Sequence, residues 1–115
     1  MQVLVSQSGP AIVLGVSGRI DHANSEEFKT AFLSPLEKAV EASTPVIINL
    51  EGLEYISSAG LRVLMIASKT AKAKGGKLFL AGWSPVVKEI FTISRFNLVF
   101  DCSDTLAEAL GKVAK

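Results

Sequence analysis

The stretch Val46–Leu64, VIINLEGLEYISSAGLRVL, decides the fold. Val46 to Leu50 is a short apolar run between turn residues, Ser43-Thr44-Pro45 before it and Glu51-Gly52-Leu53-Glu54 after it. Such a run is the pattern of a strand buried on both faces. The Glu51–Glu54 segment reads as a turn, and Tyr55-Ile56 leads into the next element. Ser57 and Ser58 offer two N-caps for a helix from about Ala59 to Ala73. The first half of that helix, Gly60 to Ala67, is apolar nearly all round. Lys69, Lys72 and Lys74 load its C-terminal end, where cations suit the helix dipole, and Gly75-Gly76 stops it.

Working outward, Met1–Ser6 and Ala11–Val16 are β-rich runs joined by the turn chemistry of Ser8-Gly9-Pro10, which predicts an antiparallel hairpin. Ser17 to Asp21 then reads as a loop leaving the sheet. A helix starts at Asn24 or Ser25, with Glu26 and Glu27 in its first turn and Phe28, Phe32, Leu36 and Val40 as its apolar stripe. Pro35 inside it predicts a kink or a break near Ser34. Lys77–Ala81 is a strand. Ser84 and Pro85 open a helix whose apolar face is Val86, Val87, Ile90, Phe91 and Ile93. Asn97–Asp101 reads as a last strand, and Ser103 as the cap of a closing helix with Leu106, Leu110 and Val113 inward. The order β-β-α-β-α-β-α-β-α predicts a single α/β domain over residues 1–115. Its mixed sheet should hold four to five strands, opening with the N-terminal hairpin, with about four helices around it. Parallel pairing is expected among the third to fifth strands.

Composition narrows the function. The chain has 115 residues, 49% of them hydrophobic, so it can build a core without disulfide or metal staples. Twelve Lys and Arg against eleven Asp and Glu leave a net charge of +1, without the basic excess that nucleic-acid binding needs. One cysteine, Cys102, and one histidine, His22, exclude an internal disulfide and every metal motif built on pairs of these residues. Residues 1–16 lack a basic start and are interrupted by Gly9-Pro10, which predicts no signal peptide. The apolar stretch Leu61–Ala67 carries Arg62 and is far too short to span a bilayer, so no direct membrane insertion is expected. The expected location is the cytoplasm.

Few residues are placed for catalysis. Ser58-Ala59-Gly60 between a strand and a helix half-matches the nucleophile elbow of hydrolases, but Ile56 stands where the first glycine must be, and His22 is the sole candidate base. Gly75-Gly76-Lys77 follows a helix and precedes a strand, the reverse of a phosphate-binding loop. Asp21, Glu26, Glu27, Glu51 and Glu54 lie in loops and first turns, and no two are paired by spacing. His22 reads as a loop residue and Cys102 as a packing residue. The sequence implies no enzyme, no metal and no cofactor.

The segment Asn49–Leu64, NLEGLEYISSAGLRVL, resembles the STAS domain, the family named after sulphate transporters and anti-sigma-factor antagonists, and among its members the stand-alone bacterial antagonists. The matching parts are Asn49-Leu50, Gly52-Leu53, Tyr55-Ile56 and Ser57-Ser58-Ala59-Gly60-Leu61. Gly18-Arg19-Ile20-Asp21 matches a second family pattern, Lys77–Gly82 with Ser84–Val87 a third, and Asp101–Ala109 fits the closing strand and helix.

The resemblance implies a switch protein. The unphosphorylated form binds a serine kinase that doubles as an anti-sigma factor, phosphorylation by that kinase separates the pair, and a metal-dependent phosphatase of the PP2C type restores binding. The phosphorylated serine would be Ser58, with Ser57 as the alternative acceptor, and the family's loop aspartate would be Asp21. Ser57 replaces an aspartate that often stands there. The partner surface would comprise Arg19, Asp21, His22, Ile56, Ser57, Leu61, Arg62 and Met65, with Val63 and Leu64 facing inward. The same family also implies two other outputs: partner switching onto a target that is not a sigma factor, such as a phosphatase, a secretion regulator or a signalling complex, and service as an adaptor subunit of a lipid or anion transporter.

Overall fold

The computed structural model describes residues 1–113. Its elements are β1 (Gln2–Ser8), β2 (Ala11–Ile20), α1 (Ser25–Glu41), β3 (Val46–Ile56), α2 (Ser58–Ala73), β4 (Leu78–Ala81), α3 (Pro85–Ile93), a 3-10 turn (Phe96–Leu98), β5 (Asp101–Ser103) and α4 (Leu106–Val113). The sheet runs β1-β2-β3-β4-β5 in space. The hairpin β1–β2 is antiparallel, and every later pair is parallel. Parallel pairing therefore begins one strand earlier than the sequence predicts, at β2–β3.

Alternation along the strands sorts the core into two layers. Leu14, Val16, Ile48, Leu50 and Leu80 point to the side covered by α1, α2 and α3, where they meet Phe28, Phe32, Leu36, Leu64, Val87 and Phe91. Ala11, Val13, Ile47, Phe79 and Ala81 point to the other side, covered by α4 through Leu106, Ala109, Leu110 and Val113. Val46, Ile47 and Ile48 are fully buried, which is the two-faced burial that the apolar run predicts.

Both β2 and β3 run longer than expected. Ser17–Ile20 does not leave the sheet, and Glu51–Glu54 does not turn the chain: Ser17 pairs with Gly52, Gly18 with Leu53, Arg19 with Tyr55 and Ile20 with Ile56. Register irregularities between Gly15 and Ser17 and between Gly18 and Arg19 absorb the turn-like residues as bulges. Gly52 permits this approach, since a Cβ there would lie 2.8 Å from the Cβ of Ser17. The break expected at Pro35 is also absent, and α1 continues through it to Glu41. The carbonyl that loses its donor belongs to Ala31, an exposed residue, so solvent can serve it.

The C-terminal third departs from expectation in three places. Asn97–Asp101 is not a strand: Arg95 turns the chain at φ +64°, Phe96–Leu98 forms the 3-10 turn, and pairing to β4 waits until Asp101–Ser103. Ser103 lies in β5 with a buried side chain, and Thr105 is the residue whose Oγ1 accepts from the Glu108 amide at the start of α4. In α3, capped by Ser84 with Pro85 in its first turn, only Val87 and Phe91 are buried and Ile90 is half-buried. Val86 and Ile93 are exposed, because in a nine-residue helix their positions fall off the stripe that meets the sheet.

Candidate functional site

The site lies where β2 and β3 end together and α2 begins. Ile20 and Ile56 are register partners at the C-terminal ends of parallel strands, the edge where open α/β sheets place their sites. The Ser57 amide donates to the Ile20 carbonyl at 2.8 Å. The Ser57 hydroxyl accepts from the Gly60 amide at 3.4 Å, and the Ser57 carbonyl accepts from the Leu61 amide at 3.0 Å. Ser57 is thus the N-cap of α2 and is 4% exposed. Ser58 is the first residue of the helix and is exposed. Two adjacent serines have been given opposite environments.

Gly60 makes this arrangement possible. A Cβ at position 60 would lie 2.7 Å from both Ile20 Cγ2 and Ile56 Cγ1. The absent side chain lets the first turn of α2 press onto the two strand ends, so the exposed Ser58 sits on a rigid base.

The loop after β2 borders the same edge. The Asp21 amide donates to Asn24 Oδ1 at 2.9 Å, and the Asn24 amide donates to Asp21 Oδ1 at 3.0 Å. Asn24 Nδ2 donates to the Arg19 carbonyl at 2.9 Å, and Ser25 Oγ to the His22 carbonyl at 3.1 Å. Asp21 and His22 are exposed on a loop stiffened by its own side chains. The Arg19 guanidinium stacks 4.8 Å from the centre of the Tyr55 ring, across the β2–β3 pairing.

Of the eight residues assigned to a partner surface, Arg19, Asp21, His22 and Arg62 are exposed and Met65 is half-buried. The other three need correction. Ile56 is 2% exposed and Leu61 8%, and Ser57 is buried as the cap. They lie beneath the exposed residues and offer little contact area, Ile56 because the close seat of Gly60 holds it directly under the helix start. Val63 and Leu64 face inward as expected.

One feature of this edge escapes sequence reasoning. A cleft of about 200 Å³ lies between the N-terminal halves of α1 and α2, lined by Ser25, Glu26, Lys29, Ala59, Arg62, Val63 and Ile66. The spacing of Ala59, Arg62 and Ile66 on α2 is the only trace of it in the sequence, and it gives no hint that α1 stands opposite.

Elsewhere the chemistry is quiet. Among the described residues, no three His, Cys, Asp or Glu side chains gather as a metal site. Cys102 is half-buried, and burial, then the neighbouring Asp101 carboxylate, push its thiol up to about 11, so it is a poor nucleophile. Gly75 and Gly76 close α2, with the Gly76 amide donating to Ala71 at 2.7 Å and the Gly75 amide to Lys72 at 3.2 Å. No helix of the described residues is long and apolar enough to cross a membrane.

Fold and site together describe a small α/β domain that presents an exposed serine at the start of α2. The sequence profile of the STAS domain matches residues 2–109, and the chain belongs to that family. It is 29% identical to BtrV of Bordetella bronchiseptica over 105 residues, 91% of this chain and 88% of that one. Its fold is similar to that of an anti-sigma factor antagonist from Mycobacterium paratuberculosis, with TM-score 0.82, 23% identity, and coverage of 99% of this chain and 94% of the other. It is also similar to the phosphorylated form of the Bacillus cell fate determinant SpoIIAA, with TM-score 0.67, 20% identity and coverage of 97% and 99%.

Proposed function

We propose that this chain is an anti-sigma-factor antagonist that works by binding, with Ser58 as its phosphorylation site. In this reading the unphosphorylated protein docks on a serine kinase that is itself the anti-sigma factor. The Ser58 hydroxyl attacks the γ-phosphorus of the kinase's ATP, ADP leaves, and the hydroxyl proton is released. A PP2C-type phosphatase hydrolyses the phosphoserine and resets the protein.

The observation that carries this reading is the contrast between the two serines. Ser58 is open to solvent on a supported surface, while Ser57 spends its hydroxyl on the Gly60 amide. The electrostatics agree. A phosphate at the start of α2 faces free amides and the positive helix end, so the domain itself bears little cost. Inside a docked interface, the same dianion must lose its water, at several kcal/mol unless a cation meets it. Each 1.4 kcal/mol is a tenfold change in affinity, so one phosphate suffices to release a micromolar complex. Both the name carried by the Mycobacterium paratuberculosis relative and the phosphorylated state of SpoIIAA support the reading.

The test is incubation with the kinase encoded nearest this gene and ATP, followed by mass spectrometric mapping. Phosphate on Ser58 is expected. An active kinase that leaves Ser58 bare overturns the reading. By calorimetry, Ser58→Ala should bind the kinase as wild type does, and Ser58→Asp should bind at least tenfold more weakly.

A further inference from the structure

The two edges of the sheet are treated differently. On one side, β5 has three residues, carries Asp101 in an ion pair with Lys112, and lies beside α4. Such an edge is blunted against further pairing. On the other side, β1 has seven residues, Gln-Val-Leu-Val-Ser-Gln-Ser, without a charge or a proline. Among the described residues nothing pairs with its outer side. Leu4 and Val5 are 59% and 55% exposed, and they point to opposite faces of the same edge.

Val5 also lines a shallow, mostly apolar groove of about 280 Å³ with Ile12, Pro35, Ala39 and Ala42, in which Lys38 is the one charged residue. The groove follows the second half of α1. It lies toward the end of the domain opposite Ser58, since α1 starts beside the Asp21 loop.

An uncharged strand edge of this length accepts another extended strand, and its chemistry selects the occupant. In a two-fold antiparallel pair each residue meets a residue of the same strand, so a charge on the two-fold axis, or charges of one sign along the edge, would set like against like. This strand has no charge to set. Pairing it with itself about Val5 uses all seven residues: Val5 meets Val5, Leu4 meets Ser6, Val3 meets Gln7 and Gln2 meets Ser8. Opposite residues in that register share a face, and the two Val5 side chains meet beside two copies of the groove. We propose that β1 pairs antiparallel with β1 of a second copy of this chain, extending the sheet across the dimer and leaving both Ser58 sites open.

The test uses the full chain. Sedimentation over a concentration series is expected to show the mass rising from one chain toward two. Val5→Lys, which sets two cations face to face, is expected to stay at the mass of one chain with an unchanged circular dichroism spectrum. Disulfide trapping reads the register, with the wild type and its half-buried Cys102 as the control. Val5→Cys is expected to crosslink to itself. Leu4→Cys and Ser6→Cys are expected to crosslink when mixed and not alone. A single chain's mass at every concentration overturns the proposal, and so does a dimer that Val5→Lys leaves intact. Protection of the β1 amides from hydrogen exchange by the kinase, and not by raising this protein's own concentration, also overturns it and assigns the edge to the kinase.

Discussion

The amide of Ser57 and the carbonyl of Ile20 meet at 2.8 Å, and this bond ties the start of α2 to the end of β2, thirty-seven residues earlier in the chain. The β2 loop and the first turn of α2 are therefore one surface. Arg19, Asp21 and His22 stand on the loop side of it, and Ser58 and Arg62 on the helix side.

The closest packing beneath that surface is at Gly60. Gly60→Ala gains up to about 1 kcal/mol in helix propensity. It also drives a methyl into Ile20 and Ile56, two buried side chains with no room to swing. Overpacking of this kind costs about 1–3 kcal/mol and outweighs the gain. Urea unfolding should show a net loss of stability, where an exposed helical glycine would show a gain.

The two serines should separate cleanly in the same assay. Ser57→Ala removes the acceptor of the Gly60 amide in a buried site and should cost about 1 kcal/mol. Ser58→Ala should stay within about 0.5 kcal/mol of wild type, since its hydroxyl holds nothing in place. Equal losses for both would contradict the assignment of Ser57 as the cap.

A negative charge at position 58 should leave the isolated domain intact. Ser58→Asp places a carboxylate in the first turn of α2, which has no acidic residue of its own there. The expected change is a gain of about 0.5 kcal/mol at low ionic strength, fading with added salt. A large loss of stability would mean that any weaker kinase binding by Ser58→Asp reflects unfolding and not charge.

Cys102 gives a prediction in pH. Its thiol is pushed from 9.0 to about 11 in the folded chain, first by burial and then by Asp101. The unfolded chain then ionises first as pH rises, so this group's contribution is complete below pH 9 and is lost between 9 and about 11. The difference in stability between wild type and Cys102→Ser should shrink across that window and stay constant below it. At pH 8 a thiol-alkylating reagent should react with Cys102 about 100-fold more slowly than with an unfolded control, in proportion to the thiolate present.

Much of this architecture is written locally. The apolar run at Val46–Leu50, the Gly9-Pro10 turn, the Ser84-Pro85 start and the glycines after α2 each act within a few residues, and each forms what its chemistry dictates. What the sequence hides is long-range. Gly52 and Gly18 look like the residues of turns, yet the β2–β3 ladder holds both within strands by bulging around them. Asn97 to Asp101 has the composition of a strand, but the left-handed turn at Arg95 points most of it elsewhere, and only Asp101 joins β5. The site shows the same division. Ser57 and Ser58 are the same residue type at adjacent positions, and only the Ile20 carbonyl and the Gly60 amide, both fixed by packing, decide which of them is free.

That division has a diagnostic use. The hydroxyl at position 57 is reachable only when the first turn of α2 comes apart. Under the proposed cycle, a phosphate found there in cells would mark unfolding molecules, while one at the neighbouring position would mark an intact molecule receiving its signal. Counting the two separately would tell the health of the pool from the message it carries.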